Sequence, residues 1–263
     1  MVKHLPGFFI ALATSFFVSC NPHFYQPRPL EPALLVEKDQ LKINTTSDKI
    51  NAISVAYSPK QNLGLQAGVS LNNNKSTFTD ANGAVTKSLD EKRFNPNFSA
   101  GYYKMLSSTL LFETYGGIGL YNYENRGTAY LQKMNSFNFF IQPSIAFINN
   151  NVEMAFTIRV DNLSRGKTLL SDSVLTAEDQ KKYSFLNYKS YYFIQPGLTF
   201  RFGGKNYKVQ FGMSESIPFN NNYRTIYGDR NRFLSLAPFS EKNKINYSFG
   251  LNFSIENLLN AGK

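Results

Sequence analysis

The stretch INYSFGLNFSIE, residues 245–256, decides the fold, because apolar and polar side chains alternate along it without a break. The apolar set is Ile245, Tyr247, Phe249, Leu251, Phe253 and Ile255, and the polar set is Asn246, Ser248, Gly250, Asn252, Ser254 and Glu256. A period of two is typical of a β-strand whose two faces meet different surroundings. The stretch therefore predicts a strand with one apolar and one polar face.

The same alternation recurs along the chain. VEMAFTIRVD (residues 152–161) and NLGLQAGVSLN (residues 62–72) repeat it clearly. The pattern predicts ten strands within a single β domain over residues 39–257: 39–46, 50–58, 62–72, 95–105, 108–123, 135–148, 151–162, 187–203, 206–217 and 244–256.

The connections between these strands separate two architectures. Four are tight (PKQ, LS, NN and GK) and alternate with longer polar ones at 73–94, 124–134, 163–186 and 218–243. Tight turns at one end and longer loops at the other are typical of outer-membrane barrels. We expect an all-β, antiparallel up-and-down transmembrane β-barrel of about ten strands, with eight or twelve as other even counts. A periplasmic lipoprotein with a soluble β-sandwich is the weaker alternative.

The N-terminus predicts an export signal. Lys3 precedes twelve uncharged, mostly apolar residues, Gly7–Val18, a run too short to span a bilayer as a helix. The following FVSC resembles the bacterial lipobox, which implies that residues 1–19 are removed and that Cys20 is acylated with diacylglycerol and palmitate. An ordinary signal peptide with Cys20 as an incidental thiol is the alternative. Four prolines within residues 20–38 predict a proline-rich periplasmic tether, and residues 258–263 a periplasmic tail.

Three further motifs accompany the lipobox: PALLVEKDQLKI (Pro32–Ile43), AYSP…NLGL (Ala56–Leu65), and the pair FIQPSIAF and FIQPGLTF, which begin at Phe140 and Phe193. With them the chain resembles a little-characterised group of lipidated outer-membrane β-barrel proteins of Gram-negative bacteria. The resemblance implies an outer-membrane location with the long loops extracellular, and it implies no substrate. Pro143 and Pro196 interrupt predicted strands, so we expect bulges or bends there.

The composition argues against an enzyme. One cysteine in 263 residues excludes an internal disulfide and a cysteine-based zinc cluster. The histidine of the mature chain, His23, lies in the predicted tether, so no histidine is available in the barrel for proton transfer. We expect no cofactor apart from the acyl groups. The net charge of +10 suits anionic lipid or glycan, whereas nucleic acid is not expected for an exported chain.

The polar face of the strands predicts a charged interior. Inward charged candidates form a lumen charge cluster: Glu113, Glu153, Arg159, Arg201 and Lys208, of which all but Arg159 lie a few residues from a short turn. Other polar inward candidates include Lys42, Gln66, Gln142, Gln195 and Gln210. The cluster predicts a salt-bridged plug, with an ion-selective filter as the alternative. Inward Tyr103, Tyr115, Phe140 and Phe193 favour a filled lumen.

The last long connection interleaves arginines and aromatics: Tyr223, Arg224, Tyr227, Arg230 and Arg232. Arginine suits phosphate or carboxylate and aromatic rings suit sugar faces, so lipopolysaccharide or surface glycan is a candidate contact. The alternative is a basic, solvated loop. We expect a non-enzymatic structural or accessory role in an envelope complex or at surface glycan, with a small outer-membrane channel or transporter as the alternative.

Overall fold

The computed structural model describes residues 28–47, 51–79, 85–127, 130–172, 190–218 and 245–255. The strands are β1 (Leu41–Ser47), β2 (Asn51–Lys60), β3 (Leu63–Thr79), β4 (Val85–Met105), β5 (Leu110–Gly127), β6 (Tyr130–Ile148), β7 (Val152–Asp172), β8 (Tyr191–Gly203), β9 (Tyr207–Glu215), β10 (Ile217–Pro218) and β11 (Ile245–Ile255). No helix in these ranges has the length and apolar character needed to cross a membrane.

The sheet closes on itself. Each strand from β1 to β8 pairs antiparallel with the next, β8 pairs with β9, β9 with β11, and β11 returns to β1. The short β10 continues β9, because Ile217 opposite Ile194 keeps the register of Ser214 opposite Gly197. The barrel therefore has ten strands, which confirms the predicted fold class. A closed ring leaves no sheet edge and rules out the two-layer sandwich.

The strands run further than the sequence pattern predicted. The β3–β4 hairpin stays paired through residues 73–79 and 85–94, which were expected to be loop. These residues are mostly polar, so the alternation of apolar and polar residues disappears there. Backbone hydrogen bonds do not depend on that alternation, and the ladder continues without it.

Four tight connections gather at one end, which we call the turn end: residues 61–62, 106–109, 149–151 and 204–206. The strand β1 begins and β11 finishes at this same end. The opposite end, which we call the loop end, carries the connections 48–50, 80–84, 128–129, 173–190 and 219–244. The predicted sorting of short and long connections is confirmed, and two of the long ones are much shorter than expected.

The two faces of the wall are inverted relative to a water-soluble protein. On β11, Phe249 is 60% exposed and Leu251 44%, whereas Asn252 is 1% exposed. The other strands show the same apolar exterior and polar interior. Large apolar side chains that face outward around a closed ring suit contact with lipid. The fold is that of an outer-membrane-type barrel.

The two strand prolines do not produce bulges. Pro143 and Pro196 flank Ile158 of β7 from either side in the barrel register. The β6–β7 ladder lacks pairs at residues 142–143, and the pairing of β8 with β9 and β10 lacks them at 195–196, yet the register is the same on both sides of each gap. Because proline has no N–H to donate, each one interrupts the ladder on one side only.

Candidate functional site: a segment inside the barrel

Residues 28–40, here called the lumen segment, lie inside the barrel. Its Leu30, Ala33, Leu34 and Leu35 are at most 4% exposed. The chain runs from about mid-height, where Arg28 meets Phe140, to the turn end, and it turns at residues 37–39 before β1 begins. Part of the predicted proline-rich tether (residues 20–38) therefore differs from a free spacer, because apolar side chains within it bury against the inner wall.

Near the turn end, charged wall residues bind the main chain of the segment. Glu113 Oε2 accepts a hydrogen bond from Leu34 N at 2.8 Å, and Lys42 Nζ donates to Leu34 O at 2.7 Å. Arg201 Nη2 donates to Pro32 O at 2.7 Å. These side chains come from β5, β1 and β8, so the segment is held from several directions around the ring.

Further toward the loop end the contacts are mostly with neutral side chains, and the charged exception is Arg159, whose Nη1 donates to Arg28 O at 3.5 Å. Gln66 Nε2 donates to Glu31 O at 2.9 Å, and Gln195 Nε2 donates to Arg28 O at 3.3 Å. Thr46 Oγ1 donates to Glu31 Oε1 at 2.7 Å. Burial raises the pKa of the Glu31 carboxyl, which the hydrogen bonds from Ser54 and Thr46 and the charge of Arg28 oppose.

Leu34 has a left-handed backbone, with φ of 52°. A bulky non-glycine residue rarely adopts this conformation, and it persists only where surrounding contacts fix it. Here the fixing contacts are the two charged bonds to the Leu34 amide and carbonyl. The same two side chains, Glu113 and Lys42, thus set the bend of the segment.

A second feature is the Glu153 cluster, which we define as Lys42, Glu153, Arg201 and Lys208. Glu153 Oε1 lies 3.3 Å from Lys42 Nζ and 3.2 Å from Lys208 Nζ, and its Oε2 lies 3.1 Å from Arg201 Nη1. Arg201 Nε also donates to Gln210 Oε1 at 2.6 Å. Each charge of the cluster thus has at least one opposite charge as a partner, and removing one partner of a buried ion pair is strongly destabilising.

The structure separates the five residues predicted as one cluster. Glu153, Arg201 and Lys208 meet, whereas Glu113 binds the lumen segment. Arg159 lies nearer mid-height, where its Nε and Nη2 donate to Gln142 Oε1 at 2.9 and 2.6 Å. The sequence predicts an inward Lys42 but does not group it with the charge cluster. The signal for that grouping is its position as the second residue of β1, close to the turn end.

Aromatic side chains fill part of the interior. Tyr103, Tyr115 and Phe193 are fully buried and Phe140 is 7% exposed. Tyr115 lies across two glycines in register with it, Gly101 on β4 and Gly64 on β3. A Cβ on Gly101 would come within 2.6 Å of the Tyr115 ring, so these glycines make the room that the ring occupies.

Two predicted sites lie outside the described residues. They are Cys20 and the loop patch of Tyr223, Arg224, Tyr227, Arg230 and Arg232. Within the ranges that the structure describes, no group of three or more His, Cys, Asp or Glu residues is placed to hold a metal ion.

No protein-family model matches the chain, and no curated protein matches it. Among solved structures, a major outer membrane protein from Thermus thermophilus aligns with 82% of this chain and 98% of its own, at 12% identity and a TM-score of 0.36. Acinetobacter baumannii CarO aligns with 85% of this chain and 99% of its own, at 12% identity and a TM-score of 0.28. These scores are too low to support an argument, so the architecture rests on the strand pairing.

Proposed function

We propose that the chain is a lipid-anchored outer-membrane β-barrel with a non-enzymatic, structural or accessory role, its bore closed by its own lumen segment. The observation that carries the proposal is the binding of the segment's main chain by side chains from around the wall, led by Glu113, Lys42 and Arg201. A barrel that binds its own main chain in this way is built to stay closed.

The energetics favour a closed bore. Ten strands enclose little more than the eight-stranded barrels whose interiors are filled by side chains. A solute would have to displace the segment and break its hydrogen bonds to charged groups, each worth about 1.5–3 kcal/mol. It would also expose Leu34 and Leu35, which are fully buried.

The membrane placement follows from the proposed anchor. Residues 1–19 are removed, and acylated Cys20 lies in the periplasmic leaflet of the outer membrane. Arg28 comes eight positions after Cys20, and eight extended residues span up to about 28 Å. The turn end then faces the periplasm and the loop end the exterior.

Two kinds of partner are proposed on chemical grounds. The arginine- and tyrosine-rich loop patch, Tyr223–Arg232, suits lipopolysaccharide or surface glycan at the outer face. A larger envelope complex is the alternative partner, reached through the turn end. Co-purification of the full chain in mild detergent tests this, since a recurrent stoichiometric protein partner favours the complex and bound lipopolysaccharide alone favours the glycan contact.

A small channel is the second candidate function. The polar and charged lumen supports it, because an interior that includes Lys42, Arg159 and Asn138 would attract water and ions if the segment moved. Planar-bilayer recording of the purified full chain separates the two proposals. We expect no reproducible single-channel steps, and steady steps from the unmodified chain would favour the channel and reject the closed barrel.

A further inference from the structure

A cavity of about 390 Å³ opens at the turn end, beside the point where the lumen segment turns into β1. Its inner wall contains Lys42, Glu153 and Lys208 of the Glu153 cluster. Its rim is formed by the tight turns, which contribute Ser108, Asn150 and Lys205. The cavity is therefore partly enclosed by the barrel and accessible from its turn end.

The inner wall has an excess of positive charge. Lys42 and Lys208 line it around the single carboxylate of Glu153, and Arg201, which does not line the cavity, adds a third positive charge to the cluster. Glu113, which is also fully buried, supplies a second carboxylate, but its bond goes to the amide of Leu34. Counting both carboxylates, this buried group of five side chains has a formal charge of +1. On the rim, the positive charge of Lys205 and the negative charge of Glu37 sum to zero, so the rim does not cancel the excess positive charge of the inner wall.

The lysines that line the cavity have hydrogen-bond donors to spare. An ammonium group has three N–H donors. Within the described chain, Lys208 Nζ contacts Glu153 Oε1 alone, and Lys42 Nζ contacts Glu153 Oε1 and Leu34 O. Three donors therefore remain on two side chains that are at most 6% exposed. Buried donors next to a cavity call for an acceptor inside it.

We infer that this cavity binds a phosphate group, either of a lipid headgroup or of a free phosphate ester. Lysine is a common point-charge ligand of phosphate, and Ser108 and Asn150 add neutral donors at the mouth. A phosphate offers three or more oxygens to the two cations on β1 and β9 and to the neutral donors of the turns, whereas a carboxylate offers two. The site is independent of whether the bore conducts, so its test is separate from that of the proposed function.

The test is calorimetric titration of the purified full chain, in neutral detergent micelles, with inorganic phosphate. We expect saturable binding that Lys208→Gln weakens by about tenfold or more, since a buried charged donor is lost. Lys60→Gln is the matched control, because Lys60 is exposed at the end of β2 that lies at the turn end and does not line the cavity. Phosphate binding by Lys60→Gln should equal that of the unmodified chain.

A second variant tests the site without removing a buried group, so that misfolding cannot explain a loss of binding. Asn150→Asp adds a negative charge at the exposed rim without touching the cluster, so it should weaken phosphate binding in a chain that still migrates as a folded barrel. Competition then identifies the source: phosphatidylglycerol in the micelles displaces phosphate if the site takes a lipid headgroup, and glycerol 3-phosphate alone displaces it if the site takes a soluble ester. No saturable binding by the folded chain, or equal affinity in Lys208→Gln and Lys60→Gln, overturns the inference.

Discussion

Glu153 on β7 and Arg201 on β8 are direct partners in the barrel register, and Arg201 Nη1 lies 3.1 Å from Glu153 Oε2 with both side chains almost fully buried. The same guanidinium donates to Pro32 O of the lumen segment. One side chain thus joins two wall strands to the segment that closes the bore. Pairing of the wall strands and closure of the bore are therefore parts of one network.

Replacing Arg201 tests the contribution of this network to stability. Arg201→Met should lower the free energy of unfolding by about 3 kcal/mol, because it leaves Glu153 with fewer partners and Pro32 O without its donor. The chain has no tryptophan, so urea unfolding is best followed by circular dichroism and gel mobility. Arg126→Gln is the control: that arginine pairs with Glu124 at 3.3 Å but is 63% exposed, and its loss should cost no more than about 0.5 kcal/mol. Equal losses would contradict the network.

Expelling the lumen segment tests the closure. The double variant Leu30→Asp/Leu34→Asp places two carboxylates where apolar side chains are now buried, so the segment should leave the lumen. We expect single-channel steps in planar bilayers from a chain that still shows heat-modifiable migration. Lys38→Asp, at an exposed turn position, adds the same group and should stay closed. A folded double variant that remains closed would mean that other side chains block the bore.

Adding one methyl group tests whether the Tyr115 ring needs the space that the neighbouring glycines leave. Gly101→Ala would place a Cβ in steric conflict with Thr114 O and within 2.6 Å of the Tyr115 ring, so it should destabilise the barrel by about 1–3 kcal/mol. Gly116→Ala is the control, since a Cβ added there, on the outer face, would meet nothing within 4 Å. Urea midpoints of the two variants give the comparison, and matching midpoints would show that the ring can move aside.

Loss of the anchor should separate lipidation from folding. Cys20→Ser should abolish incorporation of labelled palmitate, while the barrel keeps its heat-modifiable migration, because closure of the ring depends on strand pairing within residues 41–255. Metabolic labelling followed by immunoprecipitation is the measurement. Persistent label in Cys20→Ser would place the acyl group elsewhere, and loss of the folded band would give the anchor a part in assembly.

Much of the wall could be read from the sequence, because each side chain's position follows from the local period of two. Glu153, Arg201 and Lys208 lie on the inward parity within three residues of a tight turn, which is why they could be grouped in advance. The polar ends of β3 and β4 could not be read in this way. Their pairing depends on backbone hydrogen bonds, which leave no trace in the apolar pattern.

The sequence by itself determined the alternating strands, their apolar and polar faces and the sorting of their turns, since these follow from alternation and spacing along neighbouring residues. Only the tertiary structure decided what fills the ring. Pro32 and Leu34 read as tether because proline density favours extended chain wherever it lies. Their place inside the barrel depends on Glu113, Lys42 and Arg201, which come from three strands far apart in sequence. Contacts of that range arise only when the ring has closed.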